Sequence, residues 1–256
     1  MTDSPSPSGS DSAWPYARWI AHRGAGKLAP ENTLAAFRLG AAHGWRAFEC
    51  DVKLSADDVP FLLHDATLER TTSGQGEARE LPWSALSQLD AGGWHSRAFA
   101  GEPPPSLAAI AAFVRASNFQ LNIEIKPTPG IEAHTGRVVA SQVAHLWGGS
   151  TVPPLLSSFR PEALFAAREA AAHLPRALLL DSLWSGWFEM ASSLGCVAVV
   201  SKHGLMDQAL REQLRAAGLK AVVYTVNEAP DAERLLALGI DGLITDAVDR
   251  FAPAAD

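Results

Sequence analysis

The chain of 256 residues has two cysteines, few basic residues for its size, and no apolar run near the roughly 18 to 20 residues that span a bilayer. Cys50 and Cys196 both sit inside strand-like stretches, AFECDV and GCVAVV. That placement favours two buried thiols over a disulfide framework or a thiolate metal site, and it fits a reducing cytoplasm. The first residues lack a basic segment followed by an apolar one, so the expected location is cytoplasmic. Lysine and arginine number 21 against 28 acidic residues, a formal net charge of −7. Such a balance excludes bulk electrostatic capture of nucleic acid or of an anionic membrane, and any anionic substrate must be attracted locally. No Gly-x-Gly-x-x-Gly follows the first apolar run, which counts against a dinucleotide-binding open sheet.

What is present suits a sizeable core: 47% of the residues are hydrophobic and 19% charged. The opening MTDSPSPSGSDS carries no apolar anchor and reads as a disordered tail over residues 1–14, with one domain over 15–256. Within that domain, short apolar β-rich runs alternate with Ala/Leu-rich amphipathic ones. ARWIAH, AFECDVKL, LNIEIK, VPPLLSSF, RALLLD, CVAVVS, KAVVYTV and DGLITD are eight strand candidates. NTLAAFRLGAAHG, PEALFAAREAAAH, MDQALREQLRAAG and APDAERLLALG read as helices, the first with Asn32 or Thr33 as N-cap and Gly44 as C-cap. Eight β/α repeats in a chain of this length predict an α/β fold, a closed parallel (β/α)8 TIM barrel, with an open doubly wound sheet as the runner-up. From about residue 60 to 106 the alternation breaks, which predicts an insertion after the second strand, over the substrate pocket.

Polar residues interrupt the strand candidates at their ends: His22-Arg23, Glu49-x-Asp51, His64-Asp65 and Glu124-x-Lys126. Strand side chains alternate faces, so Glu49 and Asp51 point one way, opposite Phe48, Cys50 and Val52. Asn122, Glu124 and Lys126 share a face by the same rule. In a barrel the polar set would face the mouth of the lumen, where three carboxylates cannot all stay ionised without a cation. Salt bridges to lumen cations are one resolution. A hard divalent ion, Mg²⁺ or Ca²⁺, is the other, favoured here by the paired histidines. His22 and His64 each close a strand-like run, and two imidazoles can take a proton from a nucleophile and give one to a leaving oxygen. Arg23 and Lys126 add fixed positive charge suited to a phosphodiester. Trp94, Tyr224 and His203 are candidates for the substrate pocket.

The ordered series His22-Arg23-Gly24, Pro30-Glu31-Asn32-Thr33, Glu49-x-Asp51-Val52, His64-Asp65, Arg70-Thr71-Thr72, Leu89-Asp90-Ala91-Gly92-x-Trp94, Glu124-x-Lys126 and Tyr224-Thr225-Val226-Asn227 resembles the glycerophosphodiester phosphodiesterase family, of the bacterial cytoplasmic type. The resemblance runs from about Trp19 to Asp246. It implies a (β/α)8 barrel that hydrolyses a small glycerophosphodiester to sn-glycerol 3-phosphate and an alcohol. By position, Glu49, Asp51 and Glu124 would ligate one divalent metal, His22 and His64 would be the acid/base pair, and Arg23 and Lys126 would bind phosphate. The chain departs from the family's pattern at Pro105 to Ala109, which lacks acidic residues, and at Tyr224, where a Trp is common. Two mechanisms stay open, attack by the neighbouring glycerol hydroxyl and attack by water. A lysophospholipase D or phospholipase C-like activity, and a non-catalytic phosphodiester-binding barrel, are the competing functions.

Overall fold

The computed structural model of the protein describes residues 14–251 and 253. The tail expected over 1–14 therefore lies outside the described residues except for Trp14, whose ring packs edge-on against Tyr16 with centroids 4.8 Å apart.

Eight strands form the barrel: β1 (Trp19–Ala21), β2 (Ala47–Leu54), β4 (Gln120–Ile125), β5 (Leu155–Ser158), β6 (Arg176–Leu180), β7 (Ala198–Lys202), β8 (Lys220–Tyr224) and β9 (Gly242–Thr245). They pair in parallel around the ring, and β1 closes it by pairing with both β9 and β2. Every expected strand is present. A ninth, β3 (Pro60–Leu62), was not among the expected eight. It folds back antiparallel onto β2, with Leu62 opposite Val52 and Pro60 opposite Leu54.

Helices α1 (Leu34–Ala42), α3 (Leu107–Ala116), α4 (Glu132–Leu146), α5 (Pro161–Ala170), α6 (Trp187–Ser193), α7 (Gln208–Ala216) and α8 (Ala229–Ala237) connect the barrel strands, and the short α2 (Trp83–Leu86) belongs to the insertion. Local chemistry sets where several of them start. The Thr33 hydroxyl accepts from the Ala36 N–H, Ser106 from Ala109 and the Asp207 carboxylate from Leu210, each satisfying a donor that the first turn leaves free. Thr33 is thus the N-cap of α1, and its C-cap is His43, with Gly44 one residue beyond at φ +91°.

Alternation along the strands divides the core. Phe48, Cys50, Val52, Leu121, Ile123 and Ile125 face outward and pack under α1, α3 and α4. Inward positions Ile20, Ala47, Leu155, Ala177, Ala198, Val200, Val222 and Ile244 fill the barrel floor. Both cysteines are buried and unpaired.

Candidate active site

The side chains above that floor are charged. On β2 the inward register continues from Ala47 to Glu49, Asp51 and Lys53, and β4 sets Asn122 beside Glu49 and Glu124 beside Asp51. Each of Glu49, Asp51 and Glu124 is buried, and one carboxylate oxygen from each lies within 4.8 Å of the others. Burial and the charge of Asp51 push the Glu49 carboxyl up to about 8 and that of Glu124 up to about 7. Asp51 goes the other way. Burial opposes its charge, but Arg23, Lys126, His64 and the Asn32 amide outweigh it and hold its pKa below the usual range. An oxygen-only donor set in which two carboxyls resist ionisation fits a hard divalent cation, which would favour the charged form of all three.

Two basic side chains close on the same group. Lys126 Nζ lies 2.9 Å from Glu124 and 3.4 Å from Asp51, and Arg23 Nε lies 3.2 Å from Asp51. Arg23 reaches this position because the chain reverses directly after β1, with φ +50° at Arg23 and +98° at Gly24. A Cβ at Gly24 would stand 2.8 Å from the Ala36 side chain, so only glycine lets the loop settle onto the start of α1. The same turn points the Arg23 N–H at Glu49 Oε2, 3.1 Å away.

His22 follows β1, and its Nδ1 donates to Asp246 at 2.6 Å, which leaves Nε2 facing Glu49 at 3.7 Å. Asp246 is fixed by Asn227, whose amide donates to its carboxylate and accepts from its N–H. Burial works against the imidazolium, yet the Asp246 hydrogen bond and the Glu49 charge prevail and raise the His22 pKa. His64 arrives by a different route: the β2–β3 hairpin returns it to the mouth, where Nδ1 meets Asp65 at 2.8 Å. Burial is the largest influence on His64 and lowers its pKa, Asp51 opposing. One imidazole is therefore the stronger base and the other the stronger acid.

The remaining expected residues are dispersed. His22, Arg23 and Trp94 line a cleft of about 380 Å³ with Lys27 and Asp246. His64, Glu124 and Lys126 line a second cleft of about 550 Å³. Tyr224 borders the lumen between them, packs edge-on against Phe159 and donates to the Leu180 carbonyl. His203 stands apart on the turn after β7, 3.8 Å from Asp231, and lines none of these clefts.

The structure also brings in groups that sequence reasoning left without a role. Asn32, weighed only as a cap, donates to the Asp51 carboxylate at 2.8 Å and accepts from the Asp51 N–H. Lys53 donates to the Lys126 carbonyl at 3.1 Å, and burial, with Lys126 adding, pushes its amine down to about 8. Its parity with Glu49 and Asp51 was the available signal. Arg70 ties the insertion to the site, bonding Asp65 on one side and Glu31 on the other, while Glu31 also holds Arg23.

The family model described as the Glycerophosphoryl diester phosphodiesterase family matches residues 22–250. A glycerophosphodiester phosphodiesterase from Caldanaerobacter subterraneus is 32% identical over 232 residues, 89% of this chain and 93% of the relative. Among solved structures, an Oleispira antarctica phosphodiesterase in complex with the product sn-glycerol-3-phosphate is similar with a TM-score of 0.85 and 31% identity, over 92% of this chain and 95% of that one. A glycerophosphodiester phosphodiesterase from Agrobacterium tumefaciens gives 0.75 and 29%, over 92% and 99%.

Proposed function

The chain belongs to the glycerophosphoryl diester phosphodiesterase family, a family of hydrolases, and from that premise we propose that it hydrolyses glycerophosphodiesters such as glycerophosphocholine or glycerophosphoethanolamine to sn-glycerol 3-phosphate and an alcohol, with Glu49, Asp51 and Glu124 holding one Mg²⁺ or Ca²⁺. The observation that carries this reading is the arrangement of the two histidines around the acidic triad. His22 opens onto one cleft and His64 onto the other, as a base and an acid acting on opposite sides of a phosphorus would be placed. No helix among the described residues is long and apolar enough to cross a membrane. The unpaired buried thiols support a cytoplasmic setting.

Arg23 and Lys126 take the phosphate oxygens, and Asp51 fixes both cations. Asp246 holds the Nδ1 proton of His22, so Nε2 is the atom free to remove a proton from the glycerol hydroxyl next to the phosphate. His64 protonates the departing alcohol. Water then opens the cyclic phosphate with the two roles exchanged. The divalent ion supplies a lowered pKa at the attacking hydroxyl and neutralises charge on the phosphate. With one dication, Arg23 and Lys126 against three carboxylates, the site carries about +1, matched to a singly charged diester.

The test follows choline release from two substrates, glycerophosphocholine and its 2-deoxy analogue, with glycerol 3-phosphate detected as well for the first. Turnover of the first is expected, with no cleavage of the second although it competes for binding. Brisk hydrolysis of the analogue would replace the internal hydroxyl with water. Failure to release glycerol 3-phosphate from any glycerophosphodiester would overturn the functional reading.

A further inference from the structure

The larger cleft, of about 550 Å³, is electrically divided. On its β2 and β4 side stand Lys53 and Lys126. Both are engaged, Lys126 with Asp51 and Glu124, and Lys53 with a backbone carbonyl. Across the lumen, two strands on from β4 and so about 10 Å away at ordinary strand spacing, the wall is built by the loop that follows β6. Asp181 opens that loop and shares the inward parity of Ala177 and Leu179, which places it at the mouth. Its only hydrogen bond among the described residues is from the Ser182 hydroxyl at 3.0 Å, and it forms no ion pair there. Its charge is nonetheless felt inside the barrel. Burial is the main cause of the raised Tyr224 pKa, and Asp181 is next. Three residues further on, Trp184 lines the same cleft with 37% of its surface exposed.

An uncommitted carboxylate beside an accessible indole, facing a phosphate site across a gap, suits one chemistry. We propose that Asp181 and Trp184 receive a cationic ammonium head group, so that the enzyme selects zwitterionic glycerophosphodiesters, those of choline or ethanolamine, over esters of neutral alcohols. The inference rests on the proposed function, and on His64, which lines this cleft, being the group that protonates the departing alcohol. An ammonium draws on both residues of this wall, the negative face of the indole and the carboxylate. A neutral alcohol of the same shape meets the same indole and gains nothing from the charge. Because both residues are solvent-exposed, the expected selectivity is modest.

The experiment compares kcat/KM for glycerophosphocholine with that for its neutral carbon isostere, the 3,3-dimethylbutyl ester of glycerol 3-phosphate. It uses the full chain and the two variants Asp181→Asn and Trp184→Ala, each verified by an unchanged Tm. The unaltered protein is expected to prefer the choline ester by about five- to tenfold. Asp181→Asn should lower kcat/KM for the choline ester by about fivefold and leave the neutral ester within about twofold. Trp184→Ala should lower the choline ester more than the neutral one. Equal rates on the two esters in the unaltered protein, or an equal loss on both in Asp181→Asn, would overturn the inference while leaving the phosphodiesterase reading intact. Release of glycerol 3-phosphate from neither ester would overturn the functional reading itself, and the inference with it.

Discussion

The two ends of the barrel lumen belong to one ring of parallel strands and differ in what that ring points inward. At the floor, Ala47, Leu155, Ala177, Val200 and Val222 fill the space with side chains that need no partner. One or two inward positions later β2 and β8 present Glu49, Asp51 and Tyr224, β4 adds Glu124, and the loops just beyond add His22, Lys126 and Asp246. None of the charged groups is self-sufficient. Asp51 is held by Asn32, Arg23 and Lys126, and Arg23 is held in turn by Glu31. A period of two thus builds both regions, and the difference lies in how much each side chain depends on its neighbours. Substitutions at the floor should act one by one on stability. Substitutions at the mouth should act on chemistry, and in groups.

The sharpest way to break this contrast is to remove the divalent cation proposed for the triad. Complete chelation should reduce turnover by roughly a thousandfold or more, the scale of several kcal/mol of lost charge stabilisation. Full activity in a metal-free preparation would defeat the assignment of the triad. A stability measurement gives an independent readout. Glu49 and Glu124 have folded-state pKa values raised to about 8 and about 7. Their contribution to stability is present at low pH and is lost as pH rises through those values. In chelator, Tm should therefore fall as pH rises from the unfolded carboxyl value of 4.5 to about 8 and level off above, and added Mg²⁺ or Ca²⁺ should restore it most at the alkaline end. A Tm indifferent to the cation across that range would count against a bound ion.

Next in size are the histidines. His22→Ala and His64→Ala should each lower kcat by at least about a hundredfold, the lower end for a lost general acid or base, with little change in Tm. Loss of fold with normal activity per folded molecule would make them structural.

How much of this was legible in the sequence follows from the same contrast. Each barrel strand was readable because an apolar run bounded by turn residues carries its own signal. The triad was readable because Glu49-x-Asp51 and Glu124-x-Lys126 put charge at alternate positions of otherwise apolar runs. The run closed by His64 was legible as strand-like, but its pairing was not: Pro60 to Leu62 is three residues long and folds back antiparallel onto β2 instead of joining the ring. Asp246 stood at the end of a strand candidate, and nothing local distinguishes it from any acid beginning a loop. Its role comes from lying 224 residues from His22 in sequence and 2.6 Å away in space. Asn32 posed a local ambiguity, since a side chain that can cap a helix can equally hold a carboxylate. The structure resolves it because Asn32 adopts φ +59°, which turns it away from the cap position that Thr33 fills.

A smaller effect is expected where the mouth acts through a neighbour. Asp246 raises the His22 pKa, so Asp246→Asn should lower it, and the acid limb of the kcat/KM profile should move to lower pH. At neutral pH the rate should fall about tenfold, as an amide holds the Nδ1 proton less firmly than a carboxylate. A rate loss with an unmoved acid limb would mean that Asp246 orients the ring without tuning it.

The last prediction concerns the floor, where the rate effect should vanish. Leu155 faces the lumen one inward position below Ser157, next to Asn122 in register, and is 2% exposed. Leu155→Ala removes side-chain volume that the barrel cannot readily collapse to fill, and should destabilise the protein by about 2–5 kcal/mol. At roughly 2–4 °C per kcal/mol for a chain of this size, the loss is visible as a clear drop in Tm. The groups proposed for catalysis above it are tied to one another and to loop residues rather than to Leu155, so kcat/KM per folded molecule should stay within about twofold. If turnover instead fell in step with Tm, the floor would be setting the geometry of the acids above it, and the division of the lumen into a supporting end and a reacting end would not hold.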